Sequence, residues 1–394
     1  AKLDKRILLT GHSHQAWPDC SLAGHNAAWL DAVEHLDEKW ERAFAKADDV
    51  RRGFARLLDD RPERISLGAN THDLIVRFLS ALPLRARPKL VTSDGEFHSI
   101  RRQLDRLAEE GLEIQRVAAA PAETLAERLA AAVDERTAAA LVSSVLFQNA
   151  RRVPGLDGLL EACQRRGSEL LIDVYHELNV VPVSLPAARL GGAFVVGGGY
   201  KYCQLGEGNC FLRFPADCQM RPVVTGWFTV FSLLSEVRKD AAVAYGAGSD
   251  RFAGATYDPT SHYRASEVFA FFEEQSLTPA FLRTVSLHQL KRLATRFDAL
   301  DLPPALIRRD RSAPPESSGG FLTLVSPRAP ELCRGLGERN VRVDVRGDIL
   351  RLGPAPYLSD QQLDDAIDAL REACAERSSL REAMPETDSQ EDLR

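Results

Sequence analysis

The chain has 394 residues, of which 44% are hydrophobic, 27% charged and 7% aromatic, as is usual for a soluble globular protein. This length exceeds the roughly 250–300 residues that a single hydrophobic core serves, so we expect more than one domain. Fifty basic against 56 acidic residues give a net charge of −6, which argues against a nucleic-acid partner because such a partner needs a strongly basic face. No apolar run approaches the ~20 residues that span a bilayer, and the N-terminus lacks a signal-peptide pattern, so a cytoplasmic protein without a membrane partner is expected.

The seven cysteines indicate neither disulfides nor a zinc site. Their number is odd, and none forms a pair separated by two residues, which is the spacing typical of zinc ligands and redox motifs. They stand at positions 20, 163, 203, 210, 218, 333 and 374.

Hydrophobic periodicity divides the chain into four parts. Short β-branched runs alternate with amphipathic segments over residues 45–260, which predicts an α/β domain whose mostly parallel sheet is flanked by helices. Residues 261–375 place two helical stretches before strands and a closing helix, so they predict a smaller α+β domain. Residues 1–44 are expected to pack on the active site and the small domain. Residues 376–394 are polar, without an apolar face, and are predicted to be disordered.

The predicted elements follow in chain order. In the large domain, helices are expected at Thr71–Ala81, His98–Glu109, Ala122–Asp134 and Leu156–Arg166, and strands at Lys89–Thr92, Ala140–Phe147, Glu169–Ile172, Ala193–Val196 and Asn209–Phe214. In the small domain, strands are expected at Phe321–Val325, Val341–Val345 and Ile349–Leu352, with a helix from Ser359.

Ligands of an open parallel sheet bind beyond the carboxyl ends of its strands. Polar residues follow several of the predicted strands, and the first two clusters contain Asp173 and Lys201. Asp173 ends a predicted strand and His176 follows it; a carboxylate buried there needs a cationic partner, although Asp is also a common helix N-cap. Lys201 follows another strand and the glycines 197–199, which allow the backbone to approach a ligand closely. Lysine forms Schiff bases with carbonyl groups, including the aldehyde of pyridoxal phosphate. A plain loop would explain the glycines equally well.

Two further clusters supply a possible phosphate site and an aromatic ring. Asn70 and Thr71 stand at the start of a predicted helix, whose free N–H groups bind phosphate, although helix capping alone is a frequent explanation. Phe97 follows another predicted strand, where an isolated Phe would usually belong to the core. Lysine, acid, ring and phosphate cradle are together what pyridoxal phosphate requires, so the set predicts a site for that cofactor.

Over residues 45–375 the chain resembles the class V aminotransferase family of fold type I pyridoxal-phosphate enzymes, and within it most closely kynureninase. The matching runs are Asp173–His176, Gly199–Tyr202, Thr225–Phe228, Phe252–Thr256 and Asp348–Tyr357. The resemblance implies that Lys201 carries the cofactor and that Asp173 pairs with the pyridine nitrogen, with His176 beside it.

The same resemblance assigns the remaining contacts. Phe97 would stack on the cofactor ring, and Tyr200 would reach the phosphate with Asn70 and Thr71. Trp227 would help to close the pocket, and Thr256 would reach a phosphate across the interface of a homodimer with shared active sites. Arg351 would hold the substrate α-carboxylate, a task that suits its planar fork of N–H groups.

The departures from the kynureninase pattern concern substrate contacts. The segment Gly11–Pro18 replaces the family's Asn-Ser-Leu-Gly, and Ile100 stands where an acid is expected. Asp258 replaces an Asn or Gln near the aryl end of the substrate. His12 and His14 either face the active site, from the partner chain, or are solvated loop residues. A metal site is not predicted, because no third ligand lies at a suitable spacing.

The expected function is therefore that of a pyridoxal-phosphate-dependent hydrolase of the kynureninase type. Lys201 would take the substrate's α-proton, and cleavage of the Cβ–Cγ bond of kynurenine or a related aryl-keto amino acid would give alanine and an aromatic acid. An aminotransferase or a β-eliminating lyase is the alternative. A cysteine desulfurase is disfavoured because the loop Ser312–Gly320 lacks a cysteine. Intact Lys201, Asp173 and Arg351 argue against a non-catalytic binding protein.

Overall fold

The N-terminal part of the chain joins both halves of the molecule. The computed structural model describes residues 3–233 and 242–382. Strand β1 (Ile7–Leu8) pairs in parallel with Val341–Arg342, far along the chain. Helices α1 (Cys20–His35) and α2 (Lys39–Leu58) follow. Helix α2 buries Val50, Phe54 and Leu58, which lie four residues apart and so share one helix face.

Next comes the large sheet, whose strands run mostly in one direction. Its strands are β2 (Ile65–Gly68), β3 (Lys89–Ser93), β4 (Glu113–Val117), β5 (Thr137–Ser143), β6 (Glu169–Asp173), β7 (Phe194–Gly198) and β8 (Cys210–Arg213). Within the described ranges their order across the sheet is β2-β8-β7-β6-β5-β3-β4, and β8 is antiparallel to both of its neighbours. The parallel pairs β3–β5, β5–β6 and β6–β7 bring the ends of β5, β6 and β7 to one edge.

Both faces of the large sheet are covered, which explains its continuous apolar strands. The helices linking its strands are α3 (Thr71–Ala81), α4 (His98–Glu109), α5 (Leu125–Ala132) and α6 (Leu156–Arg165). Val142 and Ile172 belong to the core cluster on one face, and Leu141 and Leu171 belong to the cluster on the other. This alternation follows from the two-residue period of a strand.

The C-terminal part forms a smaller unit. It contains α7 (Thr260–Glu274), α8 (Pro279–Asp298), β9 (Arg308–Arg309), β10 (Leu322–Val325), α9 (Ala329–Glu338), β11 (Val341–Arg342), β12 (Asp344–Arg346), β13 (Ile349–Leu352) and α10 (Asp360–Glu382). In the described ranges β12, β13, β10 and β9 form an antiparallel sheet in that order. Its core includes Leu9 from the N-terminal segment.

These observations confirm the expected fold class, a large, mostly parallel sheet flanked by helices and a smaller α+β unit, and correct several details. Strand β5 ends at Ser143 rather than at residue 147, and the strand expected at Val341–Val345 is divided into β11 and β12. Helix α10 continues to Glu382, so part of the tail that we expected to be disordered is helical; residues 383–394 lie outside the described residues. No helix in the described ranges is long and apolar enough to cross a bilayer.

Candidate active site

Lys201 lies just beyond β7, at the sheet edge where the parallel strands end. Its side chain is buried, and its Nζ lies 2.7 Å from Nε2 of His176 and 4.6 Å from the ring centre of Tyr175. Burial lowers the pKa of Lys201 to about 7, although the charge of Asp173 opposes this shift. A substantial fraction of this amine is therefore neutral near pH 7, as a nucleophile requires.

Asp173 and His176 are two titratable neighbours that act on the Lys201 amine, His176 through a contact and Asp173 through its charge. Asp173 is the last residue of β6, and its Oδ1 accepts a hydrogen bond of 2.8 Å from the backbone N–H of Tyr175. Burial raises the pKa of Asp173, and that N–H and the charge of Lys201 act in the opposite direction. Burial also lowers the pKa of His176 well below its usual value, so the imidazole is neutral, and its buried Nδ1 has no hydrogen-bond partner in the structure.

Seven of the nine residues predicted to hold the cofactor line one cavity of about 440 Å³. Asn70 caps α3 by accepting a 2.8 Å hydrogen bond from the backbone N–H of Asp73, and the first residues of that helix, Thr71 and His72, line the cavity. The ring centre of Phe97 lies 5.4 Å from Nζ of Lys201. The predicted residues that line the cavity are Asn70, Thr71, Phe97, Asp173, His176, Tyr200 and Lys201.

His14 lies beside this cavity. Its ring stacks on Tyr200 with the ring centres 5.0 Å apart, and its Nε2 lies 3.8 Å from Oε1 of Glu207. Glu207 lines the cavity, whereas the His14 side chain is largely exposed. His14 thus reaches the site from the same chain.

Glu96 is a buried acid that sequence reasoning missed. Its two carboxylate oxygens accept hydrogen bonds from the hydroxyl groups of Ser93, at 2.5 Å, and Ser143, at 2.6 Å. Burial raises the pKa of Glu96 to about 7; the two serines oppose this shift and the charge of Asp173 adds to it. Ser143 lines the cavity and pairs in register with Asp173, so Glu96 contacts the site through a serine.

Arg351 lies in β13, outside the lining of this cavity, but its charge contributes to the lowered pKa of Lys201. It is buried, and its guanidinium donates to the carbonyl of Phe147, at 2.5 Å, and to the carboxylate of Asp344. His12 is buried as well, with Nε2 3.6 Å from Asp344, and burial lowers its pKa to about 4. His12 is therefore not a solvated loop residue.

The structure does not bring the remaining predicted residues to the same cavity. The indole N–H of Trp227 donates a 3.2 Å hydrogen bond to the hydroxyl of Thr256, and Thr256 and Asp258 line a neighbouring cavity of about 940 Å³. The backbone N–H and hydroxyl of Thr260 hydrogen-bond Asp258 and hold the pKa of that carboxyl below its usual value, so it is ionised at neutral pH. Glu207 and Gly208 line both cavities.

The two acids that sequence reasoning missed differ in their signals. Glu96 lies beside the predicted stacking residue Phe97, but nothing in the sequence indicates its hydrogen-bond partners. Ser143 is 47 residues away, and a serine three residues before an acid, as Ser93 is, predicts no such contact. Asp344 carried a usable signal, because Gly347-Asp348 between two β runs is typical of a hairpin turn. That turn places Asp344 directly opposite Arg351.

Comparison with known proteins gives distant sequence relatives and solved structures of the same fold. No protein-family model matches. Isopenicillin N epimerase of Streptomyces clavuligerus is 26% identical over 373 residues, which cover 86% of this chain and 88% of that protein. The uncharacterized aminotransferase YcbU of Bacillus subtilis strain 168 is 20% identical over 346 residues, covering 87% and 88%.

Among solved structures, the cystine C–S lyase C-DES, crystallised with its product cysteine persulfide, matches with a TM-score of 0.81 and 16% identity, over 94% of this chain and 98% of that one. A mutant of C-DES, crystallised with glycine covalently linked to its PLP cofactor, matches equally well. The chain has the same fold as C-DES.

Proposed function

We propose that the protein is a pyridoxal-phosphate-dependent enzyme of the class V aminotransferase type that acts on an amino acid. One observation carries this proposal: residues from separate strand ends and from the start of α3 line one cavity around the buried Lys201. The names of the relatives support it, since they include an epimerase, an aminotransferase and a C–S lyase with a PLP cofactor.

The residues present fit this cofactor. The cavity of about 440 Å³ offers the first N–H groups of α3 for a phosphate, the ring of Phe97 for stacking, and the carboxylate of Asp173 for a pyridine nitrogen. The buried His176 Nδ1 that lacks a partner is a further polar atom to which a ligand could bind. Each group that the cofactor needs therefore has a counterpart in one place.

The side chains around the cavity can handle both covalent capture and proton transfer. Pyridoxal phosphate supplies an aldehyde and an electron-withdrawing ring. Lys201, with a pKa lowered to about 7, can act as the nucleophile and can also hold or release a proton at Nζ near neutral pH. His176, which is neutral and 2.7 Å away, can exchange a hydrogen bond with that amine. Asp173 can stabilise a positive charge on its side of the cavity.

For the reaction itself, we propose hydrolytic cleavage of the Cβ–Cγ bond of kynurenine or a related aryl-keto amino acid. The resemblance of the segment around Arg351 to kynureninase supports this choice. The cysteine in the cavity argues against a desulfurase, because burial raises the pKa of Cys210 to about 12 and that reaction needs a thiolate. β-Elimination and transamination are the alternatives. One similar protein is named a C–S lyase and another an aminotransferase, and these names support the two reactions.

A direct assay tests the proposed reaction. The protein loaded with pyridoxal phosphate is incubated with L-kynurenine, and anthranilate and alanine are measured; equal amounts of both are expected, and none with the variant Lys201→Ala. L-Cystine, with pyruvate as the product measured, serves as the matched substrate for a β-eliminating lyase. Turnover of cystine without cleavage of kynurenine would contradict the hydrolase and support the lyase.

We also propose a homodimer with shared active sites. Leu22, Trp29, Val33 and Leu36 are large apolar side chains on one face of α1 or just after it, and all are exposed. Several exposed apolar side chains on one helix face are typical of a protein–protein interface. Thr256 lines a second cavity rather than that of Lys201 of its own chain, and Trp227 is hydrogen-bonded to Thr256; from there both would contact the partner's cofactor.

A further inference from the structure

The proposed carboxylate-binding residue, Arg351, already has an acidic neighbour. Asp344 and Arg351 are direct cross-strand partners in β12 and β13, and side chains at such positions lie on the same face of a sheet. The Asp344 carboxylate accepts a hydrogen bond from Nη2 of Arg351, and the carbonyl of Phe147 accepts one from Nη1 at 2.5 Å. These two acceptors hold both terminal nitrogens of the guanidinium.

The third nitrogen of Arg351 is left over. Nε is buried and has no hydrogen-bond partner in the structure, and the whole residue is only 3% exposed. A buried N–H without a partner raises the free energy of the protein, so a ligand or water that supplies an acceptor binds there favourably. A carboxylate binds a guanidinium through two adjacent nitrogens, and Nε with a neighbouring Nη forms such a pair.

Two further basic side chains lie beside Asp344. Its Oδ1 lies 3.1 Å from Nη1 of Arg346, and its Oδ2 lies 3.6 Å from Nε2 of His12. Although burial opposes ionisation, His12 and Arg351 hold the pKa of Asp344 below its usual range. The acid is thus a fixed negative charge beside the guanidinium.

We propose that Asp344 is a positioning residue that fixes the Arg351 guanidinium in one orientation, with its Nε–H available to the carboxylate of an amino-acid substrate. This inference rests on the proposed function, in which Arg351 binds that carboxylate. A lone Arg351 on a flexible side chain would lose rotamer freedom upon binding, whereas the pair Asp344 and Phe147 has removed that freedom in advance. Asp344 therefore acts on carboxylate recognition through Arg351, without touching the substrate.

A purely structural role makes a different prediction. If Asp344 only neutralises a buried arginine, its replacement lowers the free energy of unfolding but leaves the discrimination between ligands with and without a carboxylate unchanged. The two roles are distinguished by the ratio of the rates at which a ligand with a carboxylate and a ligand without one react. General effects on the cofactor and on the fold change both rates alike and cancel in this ratio.

Two small carbonyl reagents measure this ratio without knowledge of the substrate. Aminooxyacetate carries a carboxylate and methoxyamine does not, and both react with bound pyridoxal phosphate, which changes its absorbance. The second-order rate constants of both reagents are measured with the loaded wild-type protein and with Asp344→Ala, Asp344→Asn and Arg351→Lys. Arg342→Gln is the matched control, since Arg342 is an exposed arginine of strand β11, just before β12. Thermal unfolding of each variant checks its fold, and the near-isosteric Asn variant serves if Ala does not fold.

We expect the preference for aminooxyacetate to fall about tenfold in Asp344→Ala and in Arg351→Lys, because a hydrogen bond between charged groups contributes a tenfold effect or more. The preference should fall by less in Asp344→Asn, which keeps an acceptor, and by less than about twofold in Arg342→Gln. An unchanged preference in both Asp344 variants, with the preference lost in Arg351→Lys, would overturn this inference alone. An unchanged preference in Arg351→Lys would overturn the carboxylate role of Arg351 and the inference with it. A wild-type protein that binds no pyridoxal phosphate would overturn the proposed function as a whole.

Discussion

Burial sets the charge of the central side chains. The pKa of Lys201 is lowered to about 7 and that of Glu96 is raised to about 7, because the low-polarity interior disfavours the charged form of either group. Asp173 and His176 shift in the same sense, each towards its neutral form. Groups that titrate near neutral pH inside a cavity are typical of an active site.

Glu96 gives a prediction on stability. Because its folded pKa of about 7 lies above its ordinary value of 4.5, the folded state binds the proton more tightly, and this contribution is full below pH 4.5 and is lost as the pH rises through 7. Glu96→Gln cannot titrate, so its free energy of unfolding relative to wild type should improve between pH 5 and pH 8, by up to about 3 kcal/mol.

Thermal unfolding of both proteins at the two pH values measures this change. Glu127→Gln, at an exposed position on α5, is the matched control and should show the same difference from wild type at both pH values. A pH-independent difference for Glu96→Gln would mean that its two serine hydrogen bonds keep the carboxylate ionised.

At the scale of elements, the N-terminal segment docks on β13 through two glycines. The backbone N–H of Gly11 donates to the carbonyl of Gly353, and that of Gly353 to the carbonyl of Leu9, each at 2.7 Å. A Cβ on Gly353 would clash with the ring of His12, and one on Gly11 would lie 2.7 Å from the carbonyl oxygen of Pro354. Only glycine permits this approach, which brings His12 to Asp344.

Gly353→Ala should therefore displace the segment that carries His12. We expect a lower unfolding temperature and faster tryptic cleavage after Arg6, since the clash is with a buried ring and overpacking typically costs about 1–3 kcal/mol. Gly158→Ala is the control: an added Cβ there meets no heavy atom within 4 Å, and alanine favours the helix α6. Equal behaviour of the two variants would show that the docking at Gly353 tolerates a side chain.

Sequence patterns predicted the strongly periodic elements and missed those without a pattern of their own. Helices α3 and α4 have the predicted bounds, because each has a clear apolar stripe, and in α3 the capping residue Asn70 also marks the start. Strand β4 was missed, since it is a sheet edge with largely uncovered, polar residues. The antiparallel direction of β8 could not be predicted, because direction depends on the path of the connecting loop.

For the candidate site, the sequence predicted the residues at strand ends and missed contacts between distant segments. Asp173 ends a strand of the sheet and Lys201 and Phe97 follow strands, so the three residues meet at the sheet edge. The hairpin turn at Gly347-Asp348 is a local signal for the pairing of Asp344 with Arg351, whereas the contact of Asp344 with His12 depends on the docked N-terminus, which no local pattern describes. The placement of Thr256 at a different cavity from that of Lys201 is likewise a property of the folded chain.

The whole molecule gives a prediction on assembly. The apolar face of α1, with Trp29 65% and Val33 56% exposed, should be buried between two copies, so sedimentation at micromolar concentration should show a dimer. Trp29→Glu combined with Val33→Glu should shift it towards the monomer, because an interface does not accommodate unpaired charges. Glu127→Lys, on the exposed surface of α5, should leave the dimer intact. A wild-type monomer with full activity would contradict the shared active site.

The central claim is that Lys201 holds pyridoxal phosphate in the cavity of about 440 Å³. Borohydride reduction of the loaded protein, followed by digestion and mass spectrometry, tests this claim most directly. We predict that the reduced cofactor is found on the peptide containing Lys201 and that Lys201→Ala abolishes the trapping. Cofactor found on another lysine, or an unchanged yield in Lys201→Ala, would contradict the account.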